Sequence, residues 1–162
     1  MTAPYTAQSA ARTSAPPLTS RPAELWSART TFRHGQCDPA GIVYTPQFFD
    51  VFNRMIEQWF CEHLGLDYYD ILGARRIGLG YVSASAEFFV PCRMGDELEI
   101  FVRLAKIGNK SYALTLHAMK GEEEALRGQF VTVTTSLETH GSIQIPDDIR
   151  RALVAYGEKT NI

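Results

Sequence analysis

The stretch CDPAGIVYTPQFF, residues 37–49, places a carboxylate, Asp38, in a turn just ahead of the start of a helix. Those two parts suit one chemistry. A helix start leaves backbone N–H groups unpaired and carries about half a positive charge, a site for the oxyanion formed when a carbonyl is attacked. Pro46 has no N–H to offer, so Thr45 and the residues after Pro46 are the candidate donors. A nearby carboxylate either attacks the carbonyl carbon to give a mixed anhydride or takes a proton from a water that attacks instead. The residues by themselves leave another reading open. Asp first, Pro second and Gly fourth is the preferred composition of a type I turn, with the carboxylate accepting backbone N–H groups.

Other residues of suitable type are placed less tellingly. Glu57 on the same helix is a candidate base, but with Asp50 and Arg54 it also reads as a polar stripe facing solvent or a second subunit. His34 precedes the turn and reads as a strand-end or capping residue, and His63 suits the negative end of the helix dipole. Cys37 adjoins Asp38 without an activating His fixed beside it. Cys37, Cys61 and Cys92 match neither a CxxC pair nor a zinc spacing, so neither a disulfide framework nor a metal is expected, and a reducing cytoplasm is the expected location.

The elements that must position these groups are legible in the pattern. WSARTTFRHGQ, residues 26–36, has strand-like density. The segment from Pro46 to Leu64 carries Phe48, Phe52, Met55, Ile56, Trp59 and Phe60 at helical intervals, with Thr45 as cap and Gly65 as stop, which predicts one long helix apolar around most of its circumference. Four period-two stretches follow, IGLGYVSASAEFFV, ELEIFVRLAKI, KSYALTLHAMK and LRGQFVTVTTSLET. Gly-containing turns separate them, which predicts an antiparallel meander. DDIRRALVAYG after Pro146 predicts a short closing helix. The expected class is α+β, a curled antiparallel sheet wrapped around one long central helix.

At 162 residues the chain reads as one domain. Residues 1–25, rich in Ala, Ser, Thr and Pro, are expected to be a disordered extension, with the domain over 26–162. A net charge of −2 gives no electrostatic case for nucleic acid, and no apolar run approaches a membrane span.

With strand, D-P-A-G-I-V-Y, helix and four long strands in that order, the chain resembles the hotdog-fold acyl-CoA thioesterases of the 4-hydroxybenzoyl-CoA thioesterase type, including relatives associated with the Tol-Pal system, over about residues 28–155. VSASAEFFVPCRMGDELEI, the turn before KSY, and IPDDIRRAL support the likeness. The resemblance implies hydrolysis of an acyl-CoA thioester by a homodimer or homotetramer with active sites between subunits, and no metal or redox cofactor. It implies Asp38 as nucleophile or general base, the amides of Thr45 and Gly78 polarising the carbonyl, and Lys110 and Ser111 near the CoA phosphates. Tyr44 and Asn53 fall on its substrate side. Thr45 stands where relatives place His or Tyr, and Asn53 where an acid can meet an aromatic hydroxyl, so an aromatic ring without that hydroxyl or a short to medium aliphatic chain is the expected acyl group. Hydrolysis of acyl carrier protein thioesters, acyl-thioester hydration or dehydration, and a non-catalytic acyl-binding scaffold are the alternatives on the same fold.

Overall fold

The computed structural model describes residues 15–160. Five strands, β1 (Ser27–Thr31), β2 (Ile77–Phe88), β3 (Glu97–Ile107), β4 (Ser111–Lys120) and β5 (Glu123–Ser136), form one antiparallel sheet in the order β1-β3-β4-β5-β2. Three helices accompany it, α1 (Pro46–Glu62), α2 (Tyr68–Leu72) and α3 (Asp147–Lys159), so the class is α+β as expected. The expected meander holds for β3, β4 and β5 only. β2 lies beyond β5, with Gly78 opposite Thr135 and Phe88 opposite Leu126, so the chain crosses the width of the sheet between β2 and β3.

α1 buries Phe48, Val51, Phe52, Met55, Ile56, Trp59 and Phe60, the three- and four-residue spacing that sets an apolar face on the sheet. It ends at Glu62 rather than Leu64, because the His63 and Leu64 amides both turn back to the Trp59 carbonyl and Gly65 takes a positive φ of 66°. Over β5 the side chains of the helix and the sheet meet tightly. A Cβ on Gly128 would lie 2.8 Å from a Phe52 ring carbon and 2.7 Å from a Phe130 ring carbon, and both rings are buried. Glycine is there because the two rings need the space.

Residues 1–14 of the expected extension lie outside the described residues. Residues 15–25 do not behave as a free tail; they lie against the sheet. Leu18 and Leu25 pack with Phe101 and Met119, and Phe101 points to the face opposite Leu98, Ile100 and Val102 because strand side chains alternate. The segment is pinned by a buried polar cluster of His117, Glu124 and Arg127. The Leu18 amide donates to Glu124 Oε2 at 2.8 Å and the Glu124 amide to the Leu18 carbonyl at 3.1 Å. Composition signals disorder only when the segment has nothing to pair with; here the partners lie more than a hundred positions away along the chain.

Burial alone would raise the Glu124 carboxyl, but hydrogen bonds from His117, Arg127 and the Leu18 amide outweigh it and bring the pKa to about 2. A carboxyl depressed in the folded state adds stability above its unfolded value near 4.5 that disappears as pH falls toward 2. Urea midpoints of the parent chain should therefore drop between pH 5 and pH 2.5, and Glu124→Gln should flatten that slope while lowering stability at pH 7; an unchanged slope would contradict the pairing. Gly128→Ala should cost about 1–3 kcal/mol in urea unfolding, since neither buried ring has room to move.

Candidate active site

Asp38 sits in a turn its own atoms build. The Gly41 amide donates to the Asp38 carbonyl at 2.9 Å, and the Asp38 amide donates to the Ile42 carbonyl at 2.8 Å. Asp38 Oδ1 accepts the Ala40 amide at 2.8 Å and the Ile42 amide at 3.4 Å. Gly41 takes φ +75°, which only glycine adopts without strain, and this is why the turn reads DPAG. Both sequence readings of Asp38 thus meet in one residue: Oδ1 serves the turn, and among the described residues no hydrogen bond engages Oδ2. The turn is clipped to the connection between β2 and β3, with the Val43 amide on the Cys92 carbonyl at 2.9 Å and Ile42 bridged to Arg93.

Two cavities flank that clip. Asp38 lines an open one of about 680 Å³ with His34, Cys37, Pro39, Arg93 and Met94. Thr45 lines a smaller, mostly apolar one of about 280 Å³ with Val43, Phe48, Phe88, Phe89 and Cys92. Gly41 and Arg93 border the first and Ile42 and Cys92 the second. Within one subunit, then, acid and helix start line neighbouring cavities rather than a common one.

Thr45 does not cap α1. Its own dihedrals are helical, φ −46° and ψ −45°, and its hydroxyl makes no cap bond. The first turn closes through the Tyr44 and Thr45 carbonyls, which accept the Gln47 and Phe48 amides at 2.9 and 3.2 Å. A residue already in the helical region cannot fold its side chain over the next amides as an extended cap does. The Thr45 N–H itself is engaged by no hydrogen bond among the described residues, as an oxyanion donor requires.

The remaining predicted site residues lie elsewhere. Gly78 is buried opposite Thr135, and Ser111 lies opposite Val133. Lys110 Nζ donates to the Ser142 carbonyl and hydroxyl at 3.1 and 3.2 Å. All three gather at the end of β3 marked by Ile107, whereas the Asp38 turn gathers at the end marked by Glu97. Those ends are roughly 30 Å apart at the usual strand rise. Asn53, on α1, accepts the Tyr81 hydroxyl at 2.6 Å, and the half-buried Tyr81 phenol has its pKa pushed well up by burial. Tyr44 is exposed.

Glu57 is occupied, accepting the Tyr69 hydroxyl, and Asp50 pairs with Arg54 at 3.2 Å, the polar stripe expected of them. His63 stands at the helix end, where its place suits the dipole. Its ring lies edge-on to Tyr156, and burial, then Lys159, lowers its pKa. Met94 and the 88–92 segment were missed as site residues because the fold, not sequence proximity, folds them against the 37–43 turn. Their one sequence signal was the PCRMGD turn. Among the described residues no group of three or more His, Cys, Asp or Glu could hold a metal, and no helix is long and apolar enough to cross a membrane.

Residues 32–153 match the family described as the thioesterase-like superfamily. The chain is 24% identical over 137 residues to a 1,4-dihydroxy-2-naphthoyl-CoA hydrolase of Prochlorococcus marinus subsp. pastoris, covering 80% of this chain and 89% of that one. It is 27% identical over 119 residues to a protein of the same name from Synechocystis, covering 72% and 85%. Among solved structures, a gentisyl-coenzyme A thioesterase superposes with a TM-score of 0.72 at 23% identity, over 79% of this chain and 99% of that one.

Because the Thr45 hydroxyl caps nothing, Thr45→Ala should change the free energy of urea unfolding by less than about 0.5 kcal/mol, where loss of a working cap costs about 1. A loss of the larger size would restore the cap.

Proposed function

This chain belongs to the thioesterase-like superfamily, and we propose that it hydrolyses an acyl-CoA thioester, releasing a free acid and CoA, in an active site completed by a second copy of itself. The observation that carries the proposal is the division of the site residues between the two ends of the sheet. β2 runs the whole length between them, and its outer edge is unpaired among the described residues, with Val82–Ser85 exposed at its centre. An open strand edge is a template for another strand. If two β2 strands pair antiparallel about Ser83, Gly78 of one copy falls opposite Phe88 of the other, and Phe88 lines the Thr45 cavity. The same rotation carries the Lys110 turn toward the Asp38 end of the neighbouring copy. A closed twofold is the commonest way for such an edge to be satisfied. In the joined sheet each copy's α1 lies as the central helix of a hotdog arrangement.

In this reading the thioester carbonyl rests on the Thr45 amide, with Gly78 of the neighbouring copy beside it, its own amide being turned into the β2–β5 ladder opposite Thr135. Asp38 Oδ2, the oxygen the turn leaves over, either attacks the carbonyl carbon, expelling CoA thiolate and leaving an anhydride that water opens, or takes a proton from a water that attacks directly. Lys110 and Ser111 meet the CoA phosphates, Lys110 as a point charge with a flexible stem. No step calls on a metal or redox cofactor, and the cytoplasm supplies the substrate. The relatives' names specify hydroxylated aromatic acyl groups. Here the amide oxygen of Asn53 is already engaged by Tyr81, so a substrate hydroxyl meets no carboxylate, and an aromatic ring without one or a short to medium chain is favoured.

Thiol release from a panel of acyl-CoAs should be rapid for the parent chain. Asp38→Asn should lower kcat by at least about 100-fold, the usual worth of a positioned acid or base, with an unchanged urea midpoint. Undiminished turnover by this variant would refute the role of Asp38, and enoyl-CoA consumption without thiol release would indicate hydration instead.

A further inference from the structure

We propose that residues 15–18 are a working part of the acyl cavity, acting through Arg127 as a positioning residue. The proposal rests on reading the Thr45 cavity as the acyl site. Arg127 is buried, and four of its guanidinium contacts are fixed: Nε to Glu124 Oε1 at 2.9 Å, Nη2 to Glu124 Oε2 at 2.5 Å, Nη1 to the Ala15 carbonyl at 2.8 Å and Nη2 to the Pro16 carbonyl at 2.9 Å. Held flat in this way, the guanidinium carbon stands 5.4 Å from the centre of the Phe89 ring. Phe89 is a wall of the cavity that Thr45 and Cys92 also line. The N-terminal segment, the cation and the cavity wall are therefore joined in series by two sets of contacts.

The arrangement is exacting because the two backbone carbonyls and Glu124 fix the plane of the guanidinium, while Glu87, opposite Arg127 on β2, adds charge. A buried guanidinium stripped of two carbonyl acceptors must find others or turn toward water, and either movement takes its plane off the Phe89 ring. Glu124 couples the segment to the same point from the other side, since its carboxylate also accepts the Leu18 amide and His117 Nδ1. With these acceptors engaged, Arg127 is not available as a cation for CoA.

Leu18→Pro deletes the amide that donates to Glu124; Arg127→Lys keeps the charge but loses the planar fork; Phe89→Leu keeps the segment docked and removes the ring. Amide hydrogen exchange over residues 15–25 reports docking, and should rise in the first two variants and stay at the parent level in the third. With Cys37 and Cys61 replaced by Ser, alkylation of Cys92 by an uncharged reagent reports the cavity wall, because this thiol is buried and its pKa is pushed up to about 11. The rate should rise at least about 10-fold in all three variants as the wall opens more often. In the cysteine-intact background, KM for bulky acyl-CoAs should rise by a similar factor relative to KM for acetyl-CoA. A segment that loosens while the Cys92 rate and the acyl-group dependence of KM stay at parent values would overturn the proposal. If the parent chain releases thiol from no acyl-CoA, the hydrolase reading fails separately, and the Cys92 rate alone decides whether the segment holds the wall.

Discussion

The bond from the Val43 amide to the Cys92 carbonyl, 2.9 Å long, ties the turn that carries Asp38 to the connection leaving β2, and the candidate site takes its layout from that tie. On one side of it the carboxylate faces an open cavity; on the other the first free amide of α1 borders an apolar one. The turn holds Asp38 by one oxygen and leaves the second without a partner among the described residues. A residue that only shaped a turn would need no helix start beside it, and a catalytic acid on a free loop would have no fixed direction. The turn and the clip supply that direction at the cost of only a few local hydrogen bonds.

The sheet then sets a limit. A β-sheet holds its ends apart by the number of residues in its strands, and β3 separates the Asp38 turn from the Lys110 turn by roughly 30 Å. No side chain spans that distance. Either the two groups serve different purposes, or a second copy brings the far end of its own sheet alongside. The antiparallel course of β2 makes the second option geometrically simple, because a twofold about the middle of an edge strand exchanges its ends. The same sheet carries the clasp of Glu124, Arg127 and His117 on its other face, which draws the N-terminal segment into the folded unit.

Much of this was legible in the residues. The helical spacing from Phe48 to Phe60 survives burial because α1 meets the sheet over several turns, and period two marked β2 to β5 because each has one face on the core. DPAG announced the turn, since a positive φ at Gly41 leaves few other choices. What escaped reading was non-local. Strand order cannot be read from turn signals when the chain crosses the sheet, so β2 was placed beside β3 rather than β5. Residues 15–25 looked disordered because their partners, Glu124 and Arg127, are remote in sequence, and Thr45 looked like a cap because residue type does not reveal that its backbone is already helical.

The two-copy site is tested most directly by subunit complementation. Asp38→Asn and Lys110→Ala chains, co-expressed with different tags and purified as the mixed dimer, should carry one fully intact site in two, since the intact Asp38 of one copy meets the intact Lys110 of the other. About half the parent kcat/KM should therefore return in that dimer. A mixed dimer no more active than the mean of the two single-variant proteins would contradict a site shared between copies.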